Sequence, residues 1–294
     1  MTAGAEIRPQ ESTIVRFFAA PRWVRTAFRL LELGAPALGA RWAERIWFTL
    51  PRPTRPPAAE MATGTPFAVD VDGHRVVGQT WGAGPAVYLM HGWAGRSDQL
   101  TPFVAPLVSR GFRVVAFDGP SHGASAPGAY GPRSSTIPEF ADALTAVTAV
   151  HGPAHAVIAH SMGCTATAIA ACDGLRAGRL VFLAPMASPA SYAAHFAGAL
   201  GFGPRILRRL ITRVERRVGA PMRHFDVPEL GRAIAMPKTL IVHDRDDAST
   251  PIADADAIAA TWTDSRLHVT SGLGHRRILR DPEVVAEVVD FVAV

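Results

Sequence analysis

The stretch His155-Ala156-Val157-Ile158-Ala159-His160-Ser161-Met162-Gly163 decides how this chain of 294 residues folds. Its first six residues are an apolar run bounded by histidines, the pattern of a strand covered on both faces. From Met162 an Ala/Thr-rich run continues to about Ala171 and reads as a helix. Ser161 therefore stands on a strand-to-helix turn too tight to bury a side chain, which forces its hydroxyl outward. Ala159 and Gly163, two residues before and two after, are small enough for the chain to turn there. The helix N-terminus behind the serine favours nearby negative charge. The pattern is small-x-Ser-x-Gly, with Ala in place of the first Gly.

Outward from this turn, strand and helix alternate. Strands read at 67–71, 74–80, 86–90, 113–118, 155–160, 179–184, 238–243 and 266–270, and helices near 97–110, 135–151, 162–173, 252–261 and 282–293. Two hairpin-like strands followed by a strand–helix series predict an α/β fold, with a mostly parallel eight-stranded sheet and helices on both faces. About fifty residues between Ala184 and Lys238 carry no strand pattern. Arg205 to Val218 is an amphipathic helix with Leu207, Leu210, Ile211, Val214 and Val218 on one face. This insertion, residues 186–236, reads as a small helical cap over one end of the sheet, with Phe196, Leu200 and Phe202 as its apolar lining. The core is then 58–185 and 237–294.

Residues 1–57 form an N-terminal helical extension closed by a Pro/Arg linker from Pro51 to Pro57, which cannot be helical. Within it, Val15, Phe18, Trp23, Ala27, Leu30, Leu31, Trp42, Ile46 and Trp47 recur at helical spacing, with arginines between them. Two or three helices laid on the main domain with Arg stems reaching outward account for the pattern. A peripheral membrane contact or a homodimer face is the alternative.

Composition narrows the function classes. Hydrophobic residues make up 48% and charged ones 19%, which suits a buried globular core and not a disordered chain. Of the 30 basic residues only Lys238 is lysine. The arginines are spread along the chain without a base-reading motif, so no nucleic-acid partner is expected. Cys164 and Cys172 lie eight apart on one helix, about 12 Å of rise, too far for a disulfide. They read as free thiols. Met1 to Glu11 lacks the layout of a signal peptide, and no apolar run is long enough to span a membrane, so a cytoplasmic location is expected.

Chemistry collects where strands end. In open α/β sheets, ligands bind beyond the carboxyl ends of the strands. One such end is His91-Gly92-Trp93-Ala94-Gly95, where Gly92 allows a sharp turn. Others are Asp118-Gly119-Pro120-Ser121-His122-Gly123-Ala124-Ser125, Asp244-Arg245-Asp246-Asp247-Ala248-Ser249-Thr250-Pro251, and Gly272-Leu273-Gly274-His275. A serine needs a base within hydrogen-bond reach, and the base needs a carboxylate to fix its tautomer. Ser161, Asp247 and His275 supply these in that order, each just beyond a strand. Asp246 and Asp244 are neighbouring carboxylates that compete for the acid's place. His91 reads as holding its loop, and His160 should leave its strand on the side away from Ser161. No HxxxH or HxH pair suggests a metal site, and no cofactor is expected.

These residues together resemble the α/β-hydrolase superfamily across about 66–294. The matches are His91-Gly92, Asp118 with Gly123 and Ser125, Ser161 in its turn, Asp247 with Pro251, and Gly274-His275. The segment His243 to Pro251 departs from the family pattern by Asp244 in place of a glycine. The resemblance implies a serine hydrolase of the esterase and lipase kind, with the backbone N–H groups of Trp93 and Met162 as oxyanion hole. His91, Gly92, Trp93 and His160 form the candidate substrate-binding set. The small-molecule substrate expected is a carboxylic ester of short to medium chain. A lipase or thioesterase of the same fold, or a ligand-binding relative without catalysis, is the alternative.

Overall fold

A computed structural model describes residues 20–51 and 64–294. Residues 1–19, which include Val15 and Phe18, and 52–63, which include all but the first residue of the Pro/Arg linker, fall outside that range. Two helices come first, α1 (Arg22–Gly34) and α2 (Pro36–Phe48). Then follow β1 (Thr65–Val71), β2 (His74–Trp81), β3 (Ala86–Met90), a 3₁₀ turn (Ser97–Phe103), α3 (Val104–Ser109) and β4 (Arg113–Phe117). The middle of the chain is α4 (Ile137–His151), β5 (Ala154–His160), α5 (Met162–Cys172) and β6 (Ala177–Leu183). Next come α6 (Pro189–Leu200), α7 (Pro204–Val218), a 3₁₀ turn (Met222–Phe225) and α8 (Val227–Ala233). The last elements are β7 (Lys238–Asp244), α9 (Ile252–Ala259), β8 (Ser265–Thr270), α10 (Gly274–Arg277) and α11 (Pro282–Ala293).

The eight strands form one sheet in the order β1-β2-β4-β3-β5-β6-β7-β8. β2 pairs antiparallel with both of its neighbours. Every pairing from β4 through β8 is parallel. The period-2 rule divides each central strand between two cores. Tyr88, Met90, Val157 and Ala159 face one side, packed with Phe140 and Leu144 of α4, the residues of α5, and Ile258 of α9. Val87, Leu89, Ala156 and Ile158 face the other, packed with Leu107 of α3 and Val284, Val288 and Val292 of α11. α5 is buried on every side through Ala171, which explains its lack of any polar stripe. The eight-stranded α/β expectation therefore stands, strand for strand.

The N-terminal helices pack on α6 and α7. They do not lie on the sheet's own helices. Val24 and Phe28 of α1 and Ala40, Ala43 and Phe48 of α2 share a third apolar cluster with Phe196, Leu200, Phe202, Ile206, Leu210 and Val214. α1, α2, α6 and α7 thus make one helical layer. Polar contacts close the same seam. The Glu32 carboxylate accepts the backbone N–H of Gly203, Arg205 and Ile206 at 3.1, 2.8 and 3.0 Å, capping the N-terminus of α7. Glu44 pairs with Arg213. The Arg217 guanidinium lies over Phe48 at 4.3 Å and over Tyr130 at 4.7 Å from the ring centres. No helix among the described residues is long and apolar enough to cross a membrane.

Candidate active site

Ser161 adopts φ 55° and ψ −123°, a left-handed conformation that a side chain disfavours. The neighbours hold it there. Its N–H donates to Leu183 O at 3.0 Å, and its carbonyl accepts the N–H of Cys164 at 3.0 Å. Gly163 is required for a different reason: a Cβ there would lie 2.5 Å from His91 O and 2.9 Å from Met90 O. Gly92 meets the serine from the opposite side, since a Cβ on it would lie 2.8 Å from Ser161 Cβ and 3.4 Å from Met162 N. Two glycines thus let the loop after β3 and the turn after β5 pass in backbone contact. Ala159 at the first small position sits in the core without exposure.

His275 occupies α10, a single helical turn, where the sequence suggested a loop. Its Nδ1–H donates to Asp247 Oδ2 at 2.7 Å. With Nδ1 carrying the proton, Nε2 is the ring's basic atom. Asp247 is held by further donors. The Ser249 and Thr250 N–H groups reach its Oδ1 at 2.7 and 3.1 Å, and Thr250 Oγ1 donates to its Oδ2 at 3.0 Å. Burial pushes the Asp247 carboxyl upward, but the His275 hydrogen bond and charge and the two N–H groups outweigh it, leaving it below the ordinary aspartate value. Asp244 and Asp246 do other work. Asp244 Oδ2 accepts from Thr270 Oγ1 at 2.7 Å and Leu273 N at 3.0 Å, and Asp246 Oδ2 accepts from Gly272 N at 2.8 Å. Both stitch the loop after β7 to the loop after β8. Of the three aspartates, Asp247 is the one in contact with His275.

The other histidines are structural in their bonding. His91 is fully buried, donating from Nδ1 to Gly92 O at 2.8 Å and accepting Gly119 N–H on Nε2 at 2.9 Å. It is not among the residues that line the cavity, and both ring nitrogens are committed to loop backbone. His122 does the same for Ala94, accepting its N–H at 3.1 Å, and burial with the neighbouring His91 lowers its pKa to about 3. His160 does reach the cavity wall, contrary to its expected direction. Its Nε2–H donates to the His275 carbonyl at 2.9 Å, and the two rings lie 4.6 Å apart. Burial, then the His275 charge, holds His160 well below the usual histidine value, in the neutral form.

Ser161, His275, His160, Gly92, Trp93 and Met162 line one cavity of about 120 Å³. The loop after β6, α6, α7 and the 3₁₀ turn that follows α7 add Met186, Pro189, Tyr192, Val214, Val218, Met222 and Phe225. Two further walls were not anticipated: Trp47 and Phe48, from the end of α2. The signal available was two adjacent aromatics closing an amphipathic helix, which periodicity alone assigns to packing. Phe196, Leu200 and Phe202, expected to line the cavity, instead pack with α1, α2 and α7. They point at α1 and α2 because those helices, and not the sheet, lie on that side. Among the described residues no carboxylate and no lysine lines the cavity, and Arg276 is the one side chain of fixed charge on its wall. Among the described residues no group of three or more His, Cys, Asp or Glu is arranged to hold a metal ion. Cys164 is buried against Ala159 O, and burial raises its thiol pKa well above the usual value.

With this geometry in view, comparison with known proteins is direct. The Alpha/beta hydrolase family matches residues 87–288, and the chain belongs to that family. A non-heme haloperoxidase of Rhodococcus erythropolis is 27% identical, the match covering 77% of this chain and 99% of the relative. An esterase structure from Exiguobacterium antarcticum superposes with a TM-score of 0.60 at 18% identity, covering 79% of this chain and 100% of that one. An esterase from a Rhodococcus species gives 0.57 at 20% identity, covering 77% and 97%.

Proposed function

We propose that the protein is a serine hydrolase that cleaves carboxylic esters of short to medium chain through an acyl-enzyme on Ser161. The observation that carries this reading is the meeting of Ser161 and the Asp247-bound His275 on one apolar cavity wall. In the proposed cycle, Ser161 Oγ attacks the ester carbonyl while His275 Nε2 takes its proton. Asp247 stabilises the imidazolium. The N–H groups of Trp93 and Met162 receive the oxyanion. His275 then protonates the leaving alcohol, and a water deprotonated by the same imidazole releases the acid. In this reading residues 186–236 act as cap on a core of 58–185 and 237–294.

The cavity supports the substrate class. Its walls are mostly apolar, with Arg276 among them, and about 120 Å³ is small beside the sites that enclose drug-sized ligands. An acyl group of a few carbons suits it better than a long chain. Ser161→Ala tests the reading: p-nitrophenyl acetate and butyrate turnover should fall by roughly four orders of magnitude or more, and fluorophosphonate labelling should vanish. Undiminished turnover in that variant sinks it. A panel of oxygen esters and thioesters from acetyl to palmitoyl separates esterase from thioesterase and lipase. Tight binding of an ester without turnover of any member would mark a non-catalytic receptor.

A further inference from the structure

The helical layer separates charge from the rest of the molecule. α1, α2 and α7 together carry eleven arginines against three glutamates, a net +8 within a chain whose whole formal charge is +5. All other residues therefore sum to −3. The three glutamates are engaged within the layer. Glu32 caps α7, Glu44 pairs with Arg213, and Glu215 accepts the Met222 N–H at 3.0 Å. Arg22, Arg29, Arg41, Arg45, Arg208, Arg209 and Arg216 are exposed.

Large apolar side chains stand among them. Trp23, Leu30 and Leu33 are 67%, 66% and 76% exposed, and their spacing places all three on one stripe of α1. Leu38, at the start of α2, is 56% exposed. It lines a groove of about 520 Å³ between α2 and α7, together with Arg41, Arg208, Arg209, Arg213 and Arg216. Tryptophan and leucine protruding between arginines have no counterpart in the loops at the strand ends.

We infer that this face docks on an anionic phospholipid surface. Phosphate headgroups answer the arginines, and the acyl boundary takes Trp23, Leu30, Leu33 and Leu38. The other occupants fit less well. Two copies joined symmetrically through this face would set arginines against arginines with no exposed carboxylate between them. A nucleic acid would answer the charge and leave the leucines in water. Docking here also brings α2, whose Trp47 and Phe48 wall the cavity, into the layer that meets the membrane. The docking itself does not depend on chemistry at Ser161.

Co-sedimentation of the full-length protein with vesicles tests it. Vesicles of phosphatidylglycerol and phosphatidylcholine in equal parts should pellet the protein, and phosphatidylcholine alone should not. Binding should be lost in salt high enough to cut the screening length to about 3 Å. The triple variant R208Q/R209Q/R216Q should bind about a hundredfold more weakly, near fivefold for each arginine. L30S/L33S/L38S should weaken binding about tenfold. All six positions are partly or fully solvent-facing, and wild-type melting temperatures would show both variants folded. Equal pelleting with both lipids, no pelleting with either, or full binding by the glutamine variant overturns the inference. So does retention on heparin without vesicle binding, or a concentration-dependent dimer that the leucine variant abolishes.

Discussion

The loops at the strand ends and the helical layer above them hold their residues by different means. Around Ser161, Asp247 and His275, position is set by backbone hydrogen bonds: Ser161 N–H on Leu183, Ser249 and Thr250 N–H on Asp247, and Gly119 N–H on His91. In the layer, position is set by side-chain packing, with Phe28 stacked on Trp42 at 4.4 Å and Trp47 edge-on to Phe196 at 5.1 Å. Backbone bonds fix atoms to within fractions of an ångström, as proton transfer needs. Packed side chains fill space and tolerate exchange of one apolar shape for another. The difference suggests a division of labour, with chemistry below and selection of the substrate above.

Substitutions can break that division. Asp247→Asn loses the negative charge and offers His275 Nδ1 an amide NH2 in place of a carboxylate oxygen, which favours the wrong tautomer, and kcat for soluble esters should fall by about three to four orders of magnitude with KM little changed. Asp246→Asn keeps its hold on Gly272 through the remaining carbonyl oxygen and should stay within about threefold of wild type. Comparable losses in the two variants would put the acid elsewhere. On the upper side, Trp47→Ala should leave fluorophosphonate labelling intact. It should raise kcat/KM for octanoyl over acetyl esters by about tenfold, since the wall it removes is apolar volume alone. An unchanged chain-length profile would deny the layer its selective role.

The smallest expected effect lies where the two regions join. Asp254 of α9 accepts the Ala187 N–H at 2.9 Å, in the segment between β6 and α6. Burial, with the charges of Asp226 and Asp247, raises its pKa to about 6 against the Ala187 bond. An acid with a raised folded-state pKa binds more protons folded than unfolded, so its effect on stability worsens as pH rises from near 4 through 6. Asp254→Asn keeps an acceptor for Ala187 and loses the charge. Its melting temperature should exceed wild type by roughly 2 to 4 °C at pH 8, with the gap closing below pH 4. A constant gap across pH would assign the gain to packing instead.

How much of this was legible in the sequence follows from the same contrast. All eight strands and the order of Ser161, Asp247 and His275 could be read, because a buried parallel strand is a continuous apolar run and its end is punctuated by Gly, Pro and Asp. The layer was legible only as helices. Helical periodicity marks which face of α1 or α2 is apolar and is silent on what covers it. Phe196 and Phe202 were thus expected in the cavity and lie against α1 and α2, while Trp47, read only as part of a helix's apolar face, and Phe48, which carried no expectation, wall the cavity. Tertiary bonds such as Thr250 Oγ1 on Asp247 have no periodic signature either.

The left-handed backbone at Ser161 has a consequence for how the protein loses function. A non-glycine residue in such a region stores about 1 to 3 kcal/mol, which its surroundings must hold. The holders are few: one bond to the end of β6, one from the first turn of α5, one from Met186 in the loop after β6, and the two glycine contacts with the loop after β3. If that junction loosens locally, the turn relaxes to an ordinary conformation while the sheet stays intact. Under the proposed function, inactivation on mild heating would then be separate from unfolding, and activity should be lost below the melting temperature and return on cooling.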